Sequence, residues 1–302
     1  MVLRYVRILS AQVEIRVGEK DGAELIRSIY ADLVNLPDPL KLGLTVRIFN
    51  YDSVTLYMRV DGYNAAWTFT SNDLGAVGSG SDIYRNLDQF GSRAKPAAET
   101  LESITVRLRA YTDAGYSDLK WTYERVVNVV LIKSDDGSWT EDVLNNFDDG
   151  TVQGWAATLE SGGSVAVLAS STFALSPPYS LQCYTSGTGV GQTPRGRFWK
   201  SFTTPNKPTV YAIFDMRSVA GVDCRIKYRY NSQDGTILVY IGRPADTSST
   251  TYIPVNKWTR VVVPLPGNTT LELRIVQHGY LIQYTTGPNH NVYLDDFRII
   301  SK

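Results

Sequence analysis

Period-two alternation of apolar and polar residues predicts an all-β protein of two tandem β-sandwich domains. Three observations carry that expectation. Long runs alternate strictly, as in Thr100 to Tyr111, where Ile104, Val106, Leu108 and Ala110 face one way. Turn clusters such as Gly18-Glu19-Lys20-Asp21-Gly22, Asp61-Gly62 and Asp113-Ala114-Gly115 punctuate the runs. At 302 residues the chain is long enough for two cores, and it shows almost no helical periodicity between its strands.

Charge narrows the function classes. The formal net charge is zero at pH 7, and no basic block stands out, which disfavours a nucleic-acid partner. Lys and Arg are threaded singly between apolar residues, as in Arg225-Ile226-Lys227-Tyr228-Arg229-Tyr230. That is the pattern of a half-buried strand with one wet face. No run of about 18 apolar residues exists, so no membrane span is expected. The opening Met1 to Ser10 has cations inside a short apolar run and reads as a first strand, with no signal peptide. A mature extracellular protein and a virion surface protein assembled inside a cell both fit. The two cysteines, Cys183 and Cys224, fall on expected strands and read first as buried thiols, with a disulfide as the alternative.

Along the first half, residues 3–17 alternate as a strand. Ala23 to Leu36 is ambiguous: Leu25, Ile26, Ile29, Tyr30, Leu33 and Val34 form an i, i+3, i+4 stripe that favours a helix, and a strand here would be an edge. Pro37 and Pro39 end it. Strands are expected over Leu42–Asn50, Val54–Val60 and Ala65–Thr70, with a turn at Asp61-Gly62. The Gly-, Ser- and Asp-rich run 71–81 reads as a surface loop, and 82–99 as polar and weakly patterned. Thr100–Tyr111 and Trp121–Lys133 complete about six strands, whose spacing suggests an immunoglobulin-like sandwich. The polar run Ser134-Asp135-Asp136-Gly137-Ser138 marks the boundary, giving domains 1–136 and 137–302.

The second half has the denser β pattern. Strands are expected at 165–170, 179–184, 197–203, 209–216, 224–230, 236–242, 258–264, 271–277 and 291–300. That number suits a jelly roll, whose two sheets cover one core. The half opens on Asn145-Asn146-Phe147-Asp148-Asp149-Gly150 with Gly154-Trp155 after it, and closes on Leu294-Asp295-Asp296-Phe297. Between them lies Trp258-Thr259-Arg260-Val261-Val262-Val263-Pro264-Leu265. These landmarks resemble the jelly rolls of carbohydrate-binding modules and the wider galactose-binding-like group. The resemblance covers about half the chain. It implies that the first and last strands meet, and that a structural Ca²⁺ sits there on Asp148 or Asp149 and Asp295 or Asp296. Hard cations take several oxygens in irregular geometry. The alternative is that the first pair makes a turn and the second caps a strand.

Catalysis is the weak reading. The only histidines, His278 and His290, lie beside one loop, and no nucleophile elbow or metal-ligand spacing accompanies them. Non-catalytic recognition or adhesion at a surface is the leading function, with a glycan or cell envelope as partner. Sugar faces stack on flat rings, and the second half supplies Trp199, Tyr211, Tyr228, Tyr230, Tyr240, Tyr252, Tyr280 and Tyr284. Most of these rings serve packing on the first reading. The ligand candidates are Tyr228, Tyr230, Tyr280 and Tyr284, with Arg225 and Gln283 as polar partners; 280–287 has the composition of a binding loop. The rival is a structural protein, such as a virion spike, decoration or fibre subunit, whose sandwiches self-associate.

Overall fold

The computed structural model describes residues 2–9, 14–17, 19–20, 23–24, 28–50, 52–186, 195–218, 223–230, 233–241, 258–278 and 290–302. Among the described residues it is all-β apart from one 3-10 turn, and it divides into two compact units, the second made of Ser134–Lys302 together with Glu14. No helix among the described residues is long and apolar enough to cross a membrane.

Up to Lys133 the strands are β1 (Val2–Leu9), β2 (Glu14–Val17), β3 (Glu19–Lys20), β4 (Ala23–Glu24), β5 (Ser28–Asp32), β6 (Leu40–Phe49), β7 (Leu56–Tyr63), β8 (Thr68–Phe69), β9 (Asn72–Val77), β10 (Asp82–Arg93), β11 (Thr100–Tyr111) and β12 (Leu119–Ile132). One sheet runs β5-β12-β11-β7-β9, and in a second β1, β6, β10 and β8 lie side by side. Alternation builds the core directly. Leu42, Leu44, Val46 and Ile48 of β6, Met58 and Val60 of β7, Ile104, Val106 and Leu108 of β11, and Val127 and Val129 of β12 are all buried.

Two glycines set how closely Phe69 can approach both sheets. A Cβ on Gly62 of β7 would lie 2.2 Å from the Phe69 ring, and one on Gly91 of β10 would lie 2.7 Å from it. Gly62→Ala is therefore expected to destabilise this unit by about 1–3 kcal/mol through overpacking. A Phe69→Ala background should remove most of that loss, which denaturant unfolding of the single and double variants would read.

Four expectations are corrected here. The described residues of 23–36 form no α-helix. Within them β5 pairs in parallel with the end of β12, from Ser28↔Asn128 to Asp32↔Ile132, and so is the edge strand of its sheet. Ile29, Ala31 and Leu33 are buried at period two while Val34 is exposed, so the core overrides the weaker helical stripe. A 3-10 turn follows at Leu33–Asn35, capped by Asp32 accepting from the Val34 N–H at 3.2 Å. The run 71–81 contains β9, paired with β7 and anchored by buried Leu74 and Val77. Residues 82–99 contain β10, a twelve-residue strand paired with β6. The Asp61-Gly62 dipeptide lies inside β7 rather than in a turn, because Gly62 admits the Phe69 ring.

From Ser134 the strands are β13 (Thr140–Asn145), β14 (Ala156–Ser161), β15 (Ser164–Ser170), β16 (Ser180–Ser186), β17 (Arg195–Thr203), β18 (Val210–Ser218), β19 (Asp223–Tyr230), β20 (Gln233–Ile241), β21 (Thr259–Leu265), β22 (Thr270–His278) and β23 (His290–Ser301). One sheet carries β14-β17-β22-β19-β20 in that order. The other runs β15-β16-β23-β18-β21, with β13 also on β23. The opening and closing motifs do meet: β13 pairs antiparallel with β23, and Asn145 stands opposite Phe297. Phe297 is fully buried, with the ring centroids of Trp155, Phe202 and Phe214 at 5.3, 6.0 and 6.0 Å. Cys183 on β16 is a buried free thiol, and burial pushes its pKa far up, as for an inert packing residue.

Candidate functional site

The outer face of the β14-β17-β22-β19-β20 sheet gathers polar and aromatic positions that the core does not need. On β17, Gly196 and Phe198 are buried, so Arg197, Trp199 and Ser201 face outward. On β22, buried Leu271, Leu273 and Ile275 alternate with Glu272 and Arg274. Residues opposite one another on neighbouring strands share a face. Trp199 stands opposite Ala156 on one side and Arg274 on the other, and Arg197 opposite Thr158 and Val276.

Register extends this face onto β19. Arg225 stands opposite Val276, Lys227 opposite Arg274 and Arg229 opposite Glu272. On β20, Tyr240 is opposite Arg225 and Asp234 opposite Arg229. Among the residues whose side chains are described, Arg197, Arg229 and Arg274 therefore stand at positions of this face together with Glu272.

Two side chains there are oriented in advance. The indole Nε1–H of Trp199 donates to Thr158 Oγ1 at 3.1 Å, which fixes the plane of a part-exposed ring. Arg274 is only 3% exposed although it points away from the core, and its Nε donates to Glu272. Arg197 Nε is enclosed without a hydrogen-bond acceptor among the described residues. Enclosed guanidinium N–H groups without acceptors are rare in native proteins, and an anionic or hydroxylic ligand is one remedy.

Of the ligand candidates read from sequence, Arg225 lies on β19 at the register position opposite Val276. Tyr228 stands at the register position opposite Leu273, and Tyr230 ends β19. Tyr280, Gln283 and Tyr284 lie outside the described residues.

The paired acids work in two different places, one pair in a loop and the other on a strand. Asp148 and Asp149 lie between β13 and β14. Asp148 Oδ2 accepts from Asn146 Nδ2 at 2.7 Å, while Asp149 Oδ1 accepts from the Thr151 N–H and Oγ1, both at 2.9 Å. The Thr151 N–H, foremost among several donors, holds the Asp149 carboxyl below its usual range. Asp295, fully buried on β23, accepts from the N–H groups of Leu175 and Ser176 at 2.8 and 3.0 Å. It also accepts from the Asp296 N–H and Ser176 Oγ, and Ser176 Oγ reaches Asp296 Oδ1 at 3.3 Å. Burial raises the Asp295 carboxyl pKa despite these donors.

Asp148 Oδ1 is enclosed without a hydrogen-bond donor among the described residues, whereas both oxygens of Asp295 are taken by donors. Among the described residues no three acids, histidines or cysteines are grouped as a metal would need. Asp295 spends its lone pairs on N–H and O–H donors. The cation in the opening loop is Lys200, whose ammonium donates to Asn145 Oδ1 and the Gln153 carbonyl, both at 2.6 Å.

No protein-family model matches the chain, and no curated protein matches it in sequence. Solved structures do resemble it. A structure from work on the promiscuous specificity of carbohydrate-binding modules of the β-sandwich superfamily has 12% identity and a TM-score of 0.39, covering 85% of this chain and 97% of that one. The CBM22-1 xylan-binding domain of Xyn10C from Paenibacillus barcinonensis has 20% identity and a TM-score of 0.34, covering 53% and 93%. A cleaved adhesin domain of the Lys-gingipain from Porphyromonas gingivalis has 13% identity and a TM-score of 0.36, covering 54% and 100%.

Reading by sequence passed over Arg197, Glu272, Arg274 and Lys200. The signal for the first three is present as alternation, in Arg195-Gly196-Arg197-Phe198-Trp199 and Leu271-Glu272-Leu273-Arg274-Ile275. For Lys200 there is none. It shares the core-facing side of β17 with Phe198, and only the fold brings the 146–153 loop over it.

Proposed function

We propose that the chain is a non-catalytic recognition protein whose C-terminal unit, a jelly roll like those of carbohydrate-binding modules, holds a glycan on the outer face of β14-β17-β22-β19-β20. The observation that carries this reading is Trp199. It is a part-exposed indole, locked by Thr158 and set among Arg197, Glu272 and Arg274. The apolar face of a pyranose stacks on such a ring while the neighbouring guanidinium and carboxylate groups take its hydroxyls. The guanidinium groups of Arg197 and Arg274 beside the ring, with the enclosed Arg197 Nε lacking an acceptor among the described residues, favour acidic sugars, uronates or sulfated residues, over neutral ones. The N-terminal unit is, on this reading, an immunoglobulin-like spacer that presents the module at an extracellular or virion surface.

Retention on immobilised polygalacturonate, alginate and heparin, against xylan and cellulose as neutral controls, tests the proposal. The wild-type protein should be retained on at least one acidic polymer and released by salt. Trp199→Ala should weaken retention at least tenfold, or about 1.4 kcal/mol, without changing the unfolding midpoint by a comparable amount. Equal retention of wild type and variant would sink the assignment of this face. A second reading, an assembly subunit, is favoured by one feature of the other sheet, described next.

A further inference from the structure

We infer that β15 is a docking edge for a second copy of this chain, which adds its own β15 antiparallel across a two-fold axis. The inference stands apart from the glycan reading, since β15 lies at the edge of the other sheet. β15 is the terminal strand of its sheet and pairs with β16 through seven unbroken positions, from Ser164↔Ser186 to Ser170↔Ser180. Among the described residues no strand pairs with its other side. Its outward N–H and C=O groups are therefore a ready template for a further strand.

The side chains along this edge show the same incompleteness. Val165, Val167 and Ala169 stand opposite Thr185, Cys183 and Leu181, all fully buried, yet the two valines remain part-exposed. Leu159 of β14 shares the core side of its sheet with Ala157, opposite Gly196, and is 45% exposed. On the outer side of β15, Leu168 is 50% exposed. An added strand would cover the valines and Leu168 together.

Several other edges among the described strands are blunted, and this one is not. β14 carries Glu160 and a register shift, β13 carries Glu141 and Asp142, and β21 carries Arg260 and Pro264. β9 has Asp73, a register shift and Gly75 at φ +80. β15 reads Ser164-Val165-Ala166-Val167-Leu168-Ala169-Ser170, with no charge, proline, glycine or bulge.

The sequence of β15 also names the occupant. It is nearly its own reverse about Val167: an antiparallel two-fold pairing sets Ser164 against Ser170, Val165 against Ala169, and Ala166 against Leu168. Val165 and Leu168 then each meet an alanine, Val167 meets its own copy at the axis, and no like charges oppose each other. An isologous contact of this kind uses both β15 edges and closes at two copies.

Sedimentation of the full chain from micromolar to near-millimolar concentration, together with hydrogen exchange of residues 164–170, tests the inference. The wild type should form a dimer, and the outward amides of β15 should be protected only at concentrations where it does. The double variant Ala166→Lys, Leu168→Lys sets like charges opposite each other and should weaken dimerisation at least tenfold. Ala166→Lys, Leu168→Glu sets opposite charges across the same axis and should restore it. Both variants should unfold near the wild-type midpoint when dilute, since they alter the exposed side of the strand. A wild type monomeric throughout, or a dimer indifferent to both variants, would overturn the inference. So would β15 amides protected in the monomer, because a segment of the same chain would then cover the edge.

Discussion

Arg260→Leu is expected to destabilise the C-terminal unit by about 3–5 kcal/mol at neutral pH, the usual loss when one partner of a buried ion pair is removed. Asp215 on β18 is 3% exposed, and Arg260 on β21 donates to its Oδ2 from Nε at 3.1 Å and Nη2 at 2.7 Å. Asp215 also stands opposite Asp295, and the charge of Asp296 is close enough to raise its pKa further. Burial already pushes the Asp215 carboxyl above its ordinary value, with Arg260 opposing that shift. Without Arg260 the folded pKa must rise further.

The sign of the pH dependence follows from that direction. A carboxyl whose folded pKa exceeds its unfolded pKa contributes most to stability below the unfolded value, and loses that contribution as pH rises through the folded one. The Arg260→Leu deficit should therefore shrink on acidification, from neutral pH towards the ordinary carboxylate range. Adding Asp215→Asn to the variant should recover stability at neutral pH by removing the unpaired charge. Urea unfolding of the three proteins across pH would read both effects. A deficit that stays constant with pH would mean that Arg260 acts by packing alone.

Phe297→Ala should cost the same unit about 3–5 kcal/mol, as for other large core aromatics. The ring is fully buried against Trp155, Phe202 and Phe214, and so joins the closing strand, the opening motif and both sheets. Leu144→Ala on β13 is the comparison, because Leu144 is exposed and its loss should be small. Calorimetry of the two variants separates a core role for the ring from a local one at the sheet edge. Equal losses would mean that β13 pairing, rather than the aromatic cluster, closes the domain.

Much of this architecture is written in the chain as alternation. Strands β6, β11, β12, β17, β18, β22 and β23 were legible because one residue in two is apolar and meets a core. The opening and closing motifs were legible as a pair, and Asn145 opposite Phe297 is the contact they implied. The misses have physical causes. In β9 and β10 apolar residues are interrupted by Asn, Asp and Gly, residues of low strand propensity, and pairing with β7 and β6 holds them extended. The stripe from Leu25 to Val34 satisfied two periods at once, and the vacant edge beside β12 decided for strand.

The candidate site was legible only by residue type. Aromatic and basic residues on β17 and β19 were visible in the sequence, but which of them share a face depends on register across three strands. A shift of one residue moves every side chain to the other side of the sheet. That is why Trp199 and Arg274 stand opposite one another on the outer face while Phe198 and Ile275 meet on the core side. The paired acids show the same limit. Asp148, Asp149, Asp295 and Asp296 look alike as letters, yet one pair caps its own turn and the other pins the Leu175-Ser176 backbone.

The sequence by itself determined the all-β class, most strands of the second half and the meeting of its two ends. Local alternation is enough to say which side of a strand seeks a core. Tertiary structure alone decided the partners: Lys200 as the cation of the opening loop, Arg260 as the mate of Asp215, and β15 as an uncovered edge. Those depend on distances between residues far apart in the chain, and nothing in the local order of residues encodes them.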